Sequence, residues 1–245
     1  SRTNNKGMTT NKLERIIGLE NFDTSNVIYG NYLFAHCNHV NELNISNWNT
    51  GNMIDMGFMF INMNSLTKLD VSTNLKLHDL DCAYNELGEL DFSKNTLLSN
   101  LRCYNNGISS LNLENNRALS TLYCDFNDLS VLDLSNNTSM SYLSCGNNKL
   151  DSLDVSNLNL RHLSCSVNNI TELDLSSSKN LTYLGCAVNK LTSLNVTNCS
   201  YLYELADLFN TYYQKVKILN GEQERLNSNI SLLYLVKEIF EVPQK

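Results

Sequence analysis

The sequence contains no run of Lys and Arg, and it has no apolar stretch of about 18 residues or more. Its 18 Lys and Arg are outnumbered by 25 Asp and Glu, which gives a formal net charge of -7 and a pI near 5.1. Binding to nucleic-acid phosphates or to an anionic membrane requires clustered cations. We therefore expect neither a nucleic-acid partner nor membrane insertion.

The motifs of common catalytic and metal sites are also absent. The chain contains no His-Glu-x-x-His, no phosphate-binding loop and no Gly-x-Ser-x-Gly elbow. It also lacks the Cys-x-x-Cys pairs that zinc sites favour. The four histidines are scattered along the chain: His36, His39, His78 and His162. Paired-carboxylate catalysis stays open because Asp is abundant, but the sequence singles out no pair. We predict a protein that is not an enzyme and has no cofactor.

The chain does contain a 21-residue repeat, which runs from Leu77 to about Leu205. It reads Leu-x-x-Leu-x-Cys-x-x-Asn-x-Leu-x-x-Leu-Asp-(Leu/Val)-Ser-x-Asn, and a period in the twenties is typical of a solenoid. Six cysteines mark the repeat, each followed three residues later by Asn. They are Cys82, Cys103, Cys124, Cys145, Cys165 and Cys186, and Asn85, Asn106, Asn127, Asn148, Asn168 and Asn189.

Each repeat is built of two similar halves, because Leu87-x-x-Leu90-x-Phe92 matches Leu77-x-x-Leu80-x-Cys82. This pattern predicts two short extended segments and two tight turns in every coil. Side chains alternate in an extended segment, so Leu80, Cys82, Leu90 and Phe92 should face inward. The Asn columns should turn inward at the corners, where amides can satisfy backbone groups. The predicted fold is mainly β, a solenoid with short strands in each coil.

The cysteine spacing predicts packing and gives no disulfide framework. Six of the eight Cys occupy an apolar column, where Cys packs as a small hydrophobe beside Leu. Buried free thiols are therefore the main prediction. Disulfides between stacked neighbours and metal binding are the alternatives, and the cysteine content does not indicate a cellular compartment.

A longer period of 26 residues occupies the N-terminal part. Asn21-Phe22-Asp23-Thr24-Ser25-Asn26 is answered by Asn47-Trp48-Asn49-Thr50-Gly51-Asn52, and Leu43-Asn44-Ile45-Ser46 by Leu69-Asp70-Val71-Ser72. The phrase over 47–72 resembles the repeat of BspA-like bacterial surface proteins. The 21-residue block resembles short bacterial leucine-rich repeats that carry Cys at the third apolar position. These resemblances imply a leucine-rich-repeat fold and adhesion or protein binding at a cell surface, and they bring no catalytic residues.

The repeat pattern breaks after Leu205. Apolar residues from Leu202 to Leu219 follow a 3-4 spacing that favours a helix, with Ser200 as its N-cap. A second helix is predicted over about 228–241, so the pair would form a helical hairpin cap. The alternative is one last irregular coil over 202–212 followed by a strand near 216–219. The predicted domains are an N-terminal cap with BspA-like repeats (1–73), the 21-residue repeats (74–202) and the C-terminal capping segment (203–245).

Two outward columns of the repeat differ in kind. One column is nearly constant and acidic. The repulsion between its carboxylates should be relieved by hydrogen bonds to the Ser or Thr two residues on, with calcium bridging as the alternative. This column comprises Asp70, Asp91, Asn112, Asp133, Asp154, Asp174 and Asn195. The outward positions of the Cys segment instead change from coil to coil. They are rich in Tyr and Arg, the residue types that anchor interfaces.

We predict that ligand binding uses this variable face. The alternative is that its aromatic residues only cover the strand backbone. The predicted ligand-binding residues are Tyr84, Arg102, Tyr104, Tyr123, Phe126, Tyr142, His162 and Tyr183.

The predicted function is binding of a protein or glycan by a bacterial surface or secreted protein. Adhesion and interaction with a host-derived ligand are what the BspA-like resemblance implies. An extracellular or cell-surface location is expected. Two alternatives remain open at this point: an intracellular scaffold or delivered effector that uses the same face, and the binding part of a larger enzyme. The sequence does not predict the oligomeric state.

Overall fold

A computed structural model describes residues 2–3, 9–10, 16–40, 48–64, 66–202, 204–206 and 217–219. A 3-10 helix at Leu19–Asn21 is its one helical element among these residues. No helix in the described part of the chain is long and apolar enough to cross a membrane. The strands are β1 (Arg2–Thr3), β2 (Thr9–Thr10), β3 (Asp55–Met56), β4 (Asp79–Asp81), β5 (Asn100–Arg102), β6 (Thr121–Tyr123), β7 (Tyr142–Ser144), β8 (His162–Ser164), β9 (Glu172–Asp174), β10 (Tyr183–Gly185), β11 (Ser193–Asn195), β12 (Glu204–Ala206) and β13 (Lys217–Leu219).

The main sheet contains eight parallel strands, one from each successive coil. Its order is β3-β4-β5-β6-β7-β8-β10-β12. The register follows the repeat, because Leu80 pairs with Leu101 and Leu101 with Leu122, and so on along the column. A second sheet, β9-β11-β13, forms on the other side of the last coils. The predicted mainly β solenoid with short strands is therefore the observed architecture.

The inward columns form one continuous core. The six repeat cysteines and the central leucines of β4 to β8 and β10 are 0% exposed. All eight cysteines are free, and the six in the repeat are buried, as predicted. Phe92 is also fully buried, whereas Leu90 is only partly buried against the core. The repeat period thus puts the same apolar side chain above itself in every coil.

The Asn column after the cysteines ties each coil to the one before it. Asn127 is representative: its Nδ2 donates to the carbonyls of Cys103 and Cys124 at 3.1 and 3.0 Å. Its Oδ1 accepts from the backbone N–H groups of Asn106 and Ile108 at 3.1 and 3.0 Å. The prediction that these amides turn inward to satisfy the corners is confirmed.

A second Asn column lies at the opposite corner. Asn116 donates to the carbonyls of Phe92 and Asn95 at 3.0 and 2.9 Å, and Asn137 repeats the pattern one coil later. The column is broken in the next coil, where Leu158 replaces Asn and the repeat is one residue shorter. There the exposed Asn157 donates to the carbonyl of Ser135 at 3.0 Å instead.

The constant acidic column caps its own turns. Each Asp or Asn side chain accepts a hydrogen bond from the backbone N–H two residues on, at 2.8 to 3.0 Å. The Ser backbone and hydroxyl lower the pKa of the carboxyl groups, as at Asp133 and Asp154. The structure therefore shows the predicted hydrogen bonds to the residue two positions on, which offset the repulsion between the carboxylates of this column. No group of three or more His, Cys, Asp or Glu in the described residues is arranged to hold a metal ion.

The second extended segments of the early coils are not paired as strands in the described residues. A groove of about 480 Å³ lies between two of them, lined by Ser110 to Glu114 on one coil and by Val131, Asp133 and Ser135 to Asn137 on the next. Strand pairing on this side begins only with β9. The prediction of two regular extended segments in every coil is thus met fully on one side only.

The structure corrects the predicted helix after Leu202. Strands β12 and β13 occupy residues inside it, pairing with β10 and β11 in register with Leu184 and Leu194. A further parallel strand satisfies the open backbone edge of a sheet, which a helix does not. At these residues that gain outweighs the local 3-4 spacing. The strand near 216–219 of the alternative is observed as β13, whereas most of the coil that the alternative places over 202–212 lies outside the described residues. The rest of the predicted helical hairpin cap, including its second helix, lies outside the described residues.

Candidate functional site

The outward side chains of β3 to β8 and β10 form a surface that we call the strand face. Three predicted residues stack on it in consecutive coils. The ring centroids of Tyr142 and His162 are 4.1 Å apart with an interplanar angle of 4°, and those of His162 and Tyr183 are 4.2 Å apart at 5°. Tyr123 meets Tyr142 at 5.6 Å and 38°. Parallel in-register strands place equal positions one above another, so flat side chains at one position stack.

Small residues beside the stack make room for it. The neighbouring outward positions hold Ser144, Ser164 and Gly185. A Cβ added to Gly185 would lie 3.0 Å from the hydroxyl oxygen of Tyr183, so this ring lies across its own strand. The stack therefore depends on a pairing of large and small outward residues within each strand.

Arg102 joins the stack to the N-terminal coils. Its guanidinium lies 5.5 Å from the Tyr123 ring centroid and 5.6 Å from that of Phe58, and it forms a 3.4 Å ion pair with Asp79. Phe58 in turn stacks on Tyr32 at 4.8 Å. We call this run the aromatic ribbon, and its members are Tyr32, Phe58, Arg102, Tyr123, Tyr142, His162 and Tyr183.

Phe58 and Tyr32 were not predicted as site residues. They belong to the 26-residue coils, whose phase differs from that of the 21-residue repeat. The pairing of Asp55 with Asp79 aligns the two kinds of coil. Aligning Asp55 with Asp79 in the sequence would have placed Phe58 opposite the inward Cys82, so its outward position follows only from the left-handed turn at Phe58 in the structure.

The other predicted residues lie at the corner that follows each strand. Tyr84 and Tyr104 contact each other edge to face, with centroids 5.1 Å apart. Phe126 lies one coil further on and is 58% exposed. The structure thus brings Arg102, Tyr123, Tyr142, His162 and Tyr183 into one ribbon and places Tyr84, Tyr104 and Phe126 beside it. Whether they bind a ligand stays a prediction.

The second residue after each repeat cysteine adopts a left-handed conformation. Its φ is between 52° and 60° in all six coils, at Tyr84, Asn105, Phe126, Asn147, Val167 and Val188. Inter-coil hydrogen bonds hold this geometry: the backbone N–H of Phe126 donates to the carbonyl of Gly146 at 3.0 Å. Asn tolerates this region, whereas a β-branched residue in it is an outlier, and the cost is about 1–2 kcal/mol. We call Tyr84, Phe126, Val167 and Val188 the corner ridge.

Three carboxyl groups near the ribbon lie in poorly solvated positions. Burial raises the pKa of Asp79, Asp81 and Asp125. Asp81 is 0% exposed, and its Oδ2 has no hydrogen-bond partner among the described residues. The Oδ1 of Asp125 accepts from the Ser144 hydroxyl at 2.7 Å and from the Gly146 N–H at 2.9 Å. These groups were not predicted as part of the site, although Asp81 occupies an outward strand position that the repeat leaves variable.

Two family models match parts of the chain. Residues 4–84 match the family described as Mycoplasma protein of unknown function, DUF285. Residues 182–242 match the DALR anticodon binding domain. Neither match spans half of the chain. The first coincides with the region of the 26-residue period, whose resemblance to BspA-like proteins stays a prediction.

Solved structures extend the similarity to the repeats. The functional domain of InlJ from Listeria monocytogenes, which includes a cysteine ladder, is 30% identical over 77% of this chain and 46% of that chain, with a TM-score of 0.57. An internalin, InlF, from the same species is 20% identical over 88% of this chain and 68% of its own, with a TM-score of 0.53. The fold is a leucine-rich-repeat solenoid. The six stacked cysteines of this leucine-rich-repeat solenoid are similar to the ladder of the InlJ domain, although the chain spans less than half of that structure.

A curated relative is similar over a short stretch only. The arginine–tRNA ligase of Agathobacter rectalis is 57% identical over 44 residues, which is 18% of this chain and 7% of the ligase. The DALR match begins at residue 182, inside the leucine-rich-repeat solenoid, where β10 and β11 are in register with earlier coils. Within the described residues, the first part of that match is therefore solenoid.

Proposed function

We propose that the chain is a non-enzymatic protein-binding module of a bacterial surface or secreted protein, and that the strand face is its binding surface. The aromatic ribbon carries this proposal. It joins Tyr and Arg side chains over many coils, and such residues dominate binding energy at protein interfaces. The likeness to the InlJ domain supports a bacterial binding module, and the resemblance to BspA-like repeats supports a location at the cell surface.

The stacking favours a protein partner over a glycan. Aromatic rings use their faces to stack and their edges for polar contacts. The His162 ring is covered by Tyr142 on one face and by Tyr183 on the other, at 4.1 and 4.2 Å. A sugar therefore has no open ring face at the centre of the stack, whereas a protein segment can bind without stacking on a ring face.

Tyr123→Ala and Arg102→Ala should each weaken binding by about tenfold or more, because both residues lie in the middle of the ribbon. The measurement is binding to immobilised extracellular-matrix proteins and to a glycan array. Ser135→Ala and Ser156→Ala, on the acidic column of the opposite segment, are the matched controls and should leave binding unchanged. Thermal unfolding checks that each variant folds. If a partner is found and the serine variants lose more binding than Tyr123→Ala does, the binding surface is not the strand face.

A second candidate function is RNA contact by the C-terminal segment. Its support is the DALR match and the 57% identity with the tRNA ligase over 44 residues. The charge is less favourable, because residues 201–245 contain five Lys or Arg and six Asp or Glu. Gel shift of the full chain with total tRNA at about 50 mM salt tests it. Binding that is lost in Lys215→Glu/Arg225→Glu supports this candidate, and absence of any shift rejects it.

A further inference from the structure

The corner ridge keeps apolar residues where polar ones would cost less. Two of the six left-handed corner positions hold Asn105 and Asn147, which suit this conformation. The ridge residues occupy the same backbone geometry with Tyr, Phe and Val side chains, although Val is poorly suited to it. They are not buried in compensation: Tyr84 is 43% exposed, Phe126 58%, Val167 40% and Val188 46%. A strained residue that contributes little to the core indicates a function outside the fold.

The surface beside the Tyr84 and Phe126 end of the ridge is acidic, whereas Lys149 and Lys190 follow the corners of later coils. Arg102 is the only Lys or Arg in strands β3 to β8 and β10, whereas these strands contain Asp55, Asp79 and Asp81. Asp125 directly precedes Phe126 and adds a fourth carboxyl group. Arg102 pairs with Asp79 at 3.4 Å, whereas Asp125 forms no ion pair in the described residues. Among the residues that the structure describes, the negative charge next to this end of the ridge is thus only partly compensated.

We propose that the corner ridge and the adjacent carboxyl groups bind a cationic polypeptide segment, one in which Lys or Arg side chains lie next to large apolar side chains. The apolar side chains pack on Phe126, Val167 and Val188, and the cations pair with Asp79 and Asp125. Burial raises the pKa of both carboxyl groups because it disfavours their charged forms. A partner cation beside them would favour those charged forms again. This inference rests on the protein-binding part of the proposed function, and it places the partner segment on the corner beside the strand face.

Panning a random dodecapeptide phage library against the full chain tests the inference. The selected peptides should be enriched in Lys or Arg and in large apolar residues. In fluorescence anisotropy, a synthetic peptide of the selected consensus should bind Val167→Asn/Val188→Asn and Phe126→Asn at least about tenfold more weakly than the unaltered chain. The valine variant should also unfold at a higher temperature because Asn relieves the left-handed strain, so weaker binding there does not come from unfolding.

Charge is tested with a matched pair of double variants. Asp79→Asn/Asp125→Asn and Asp133→Asn/Asp154→Asn remove the same formal charge from opposite segments. Only the first double variant should weaken binding of the peptide, by about tenfold or more. Equal effects would mean that the peptide senses net charge alone and would overturn the inference, as would selection of neutral or acidic peptides or of none. If peptides bind and respond to these variants but not to Tyr123→Ala, the ridge stands and the ribbon proposal fails. If they respond to Tyr123→Ala alone, the ridge inference fails.

Discussion

Replacing Asn127 with alanine is expected to lower the free energy of unfolding by more than about 3 kcal/mol. Its side chain makes five hydrogen bonds to the backbone of two coils: three are donated by Nδ2 and two are accepted by Oδ1. Leaving a buried backbone group without a partner costs about 1–3 kcal/mol. The total cost is less than the sum over these groups, because the backbone shifts and water binds some of them. It is still large, because several groups lose their partner at once. Denaturant unfolding measures the change.

Asn115→Ala is the matched control for this prediction. Asn115 lies in an exposed position of the neighbouring coil, and its loss should change the unfolding free energy by less than about 0.5 kcal/mol. Asn127→Asp keeps the shape of the side chain but replaces the donating amide with an oxygen atom, so it should be as harmful as alanine. Similar stabilities of Asn127→Ala and Asn115→Ala would show that the Asn column does not hold the coils together.

The six repeat cysteines are expected to react with a thiol reagent only when the chain opens. Thiolates are the reactive form, and burial raises the pKa of Cys103 to about 12. At pH 8 this lowers the thiolate fraction about a thousandfold relative to an ordinary thiol, before any steric protection is counted. Mass spectrometry after timed labelling should therefore find these six residues unmodified in native buffer and fully modified in denaturant.

Cys199 is the internal comparison for the thiol experiment. It is only partly buried, and burial raises its pKa to about 11, less than that of Cys103. It should therefore label before the repeat cysteines do. Rapid native labelling of all six would contradict the buried column and, with it, the inward orientation of the Cys segment.

The sequence was sufficient to predict the features that the repeat period controls. Leu122, Cys124 and Asn127 recur at fixed offsets in the repeat. Because the coils stack in register, each of these positions must face inward in every coil. The hydrogen bonds of the acidic column were predictable for the same reason, since Asp133 and Ser135 are two residues apart. Local spacing was enough because both partners lie in the same coil or at equal positions in adjacent coils.

The parts that the sequence did not predict depend on contacts between unequal positions. Arg102 reaches Phe58 across the intervening coil, and no period links an arginine in one repeat type with a phenylalanine in another. The stack of His162 between two tyrosines also needs the small residue at Gly185, which matters only once the ring lies across the strand. At the C-terminus, the local apolar spacing was misleading because the open edges of two sheets favour further strands at Glu204–Ala206 and Lys217–Leu219.

Leu158 has a consequence for how the solenoid responds to mechanical load. Up to Asn137, each coil transmits tension to the next through buried side-chain amides at two corners. Between the coils of Asn137 and Leu158, one corner lacks its buried amide and relies on the exposed bond from Asn157 to Ser135, which water can replace at little cost. The later coils hold Ser178 and Cys199 at this corner in place of Asn. A chain pulled from its two ends would therefore part first among the coils after Asn137. The coils from Asn74 to Asn137, which have a buried amide at this corner, would separate last.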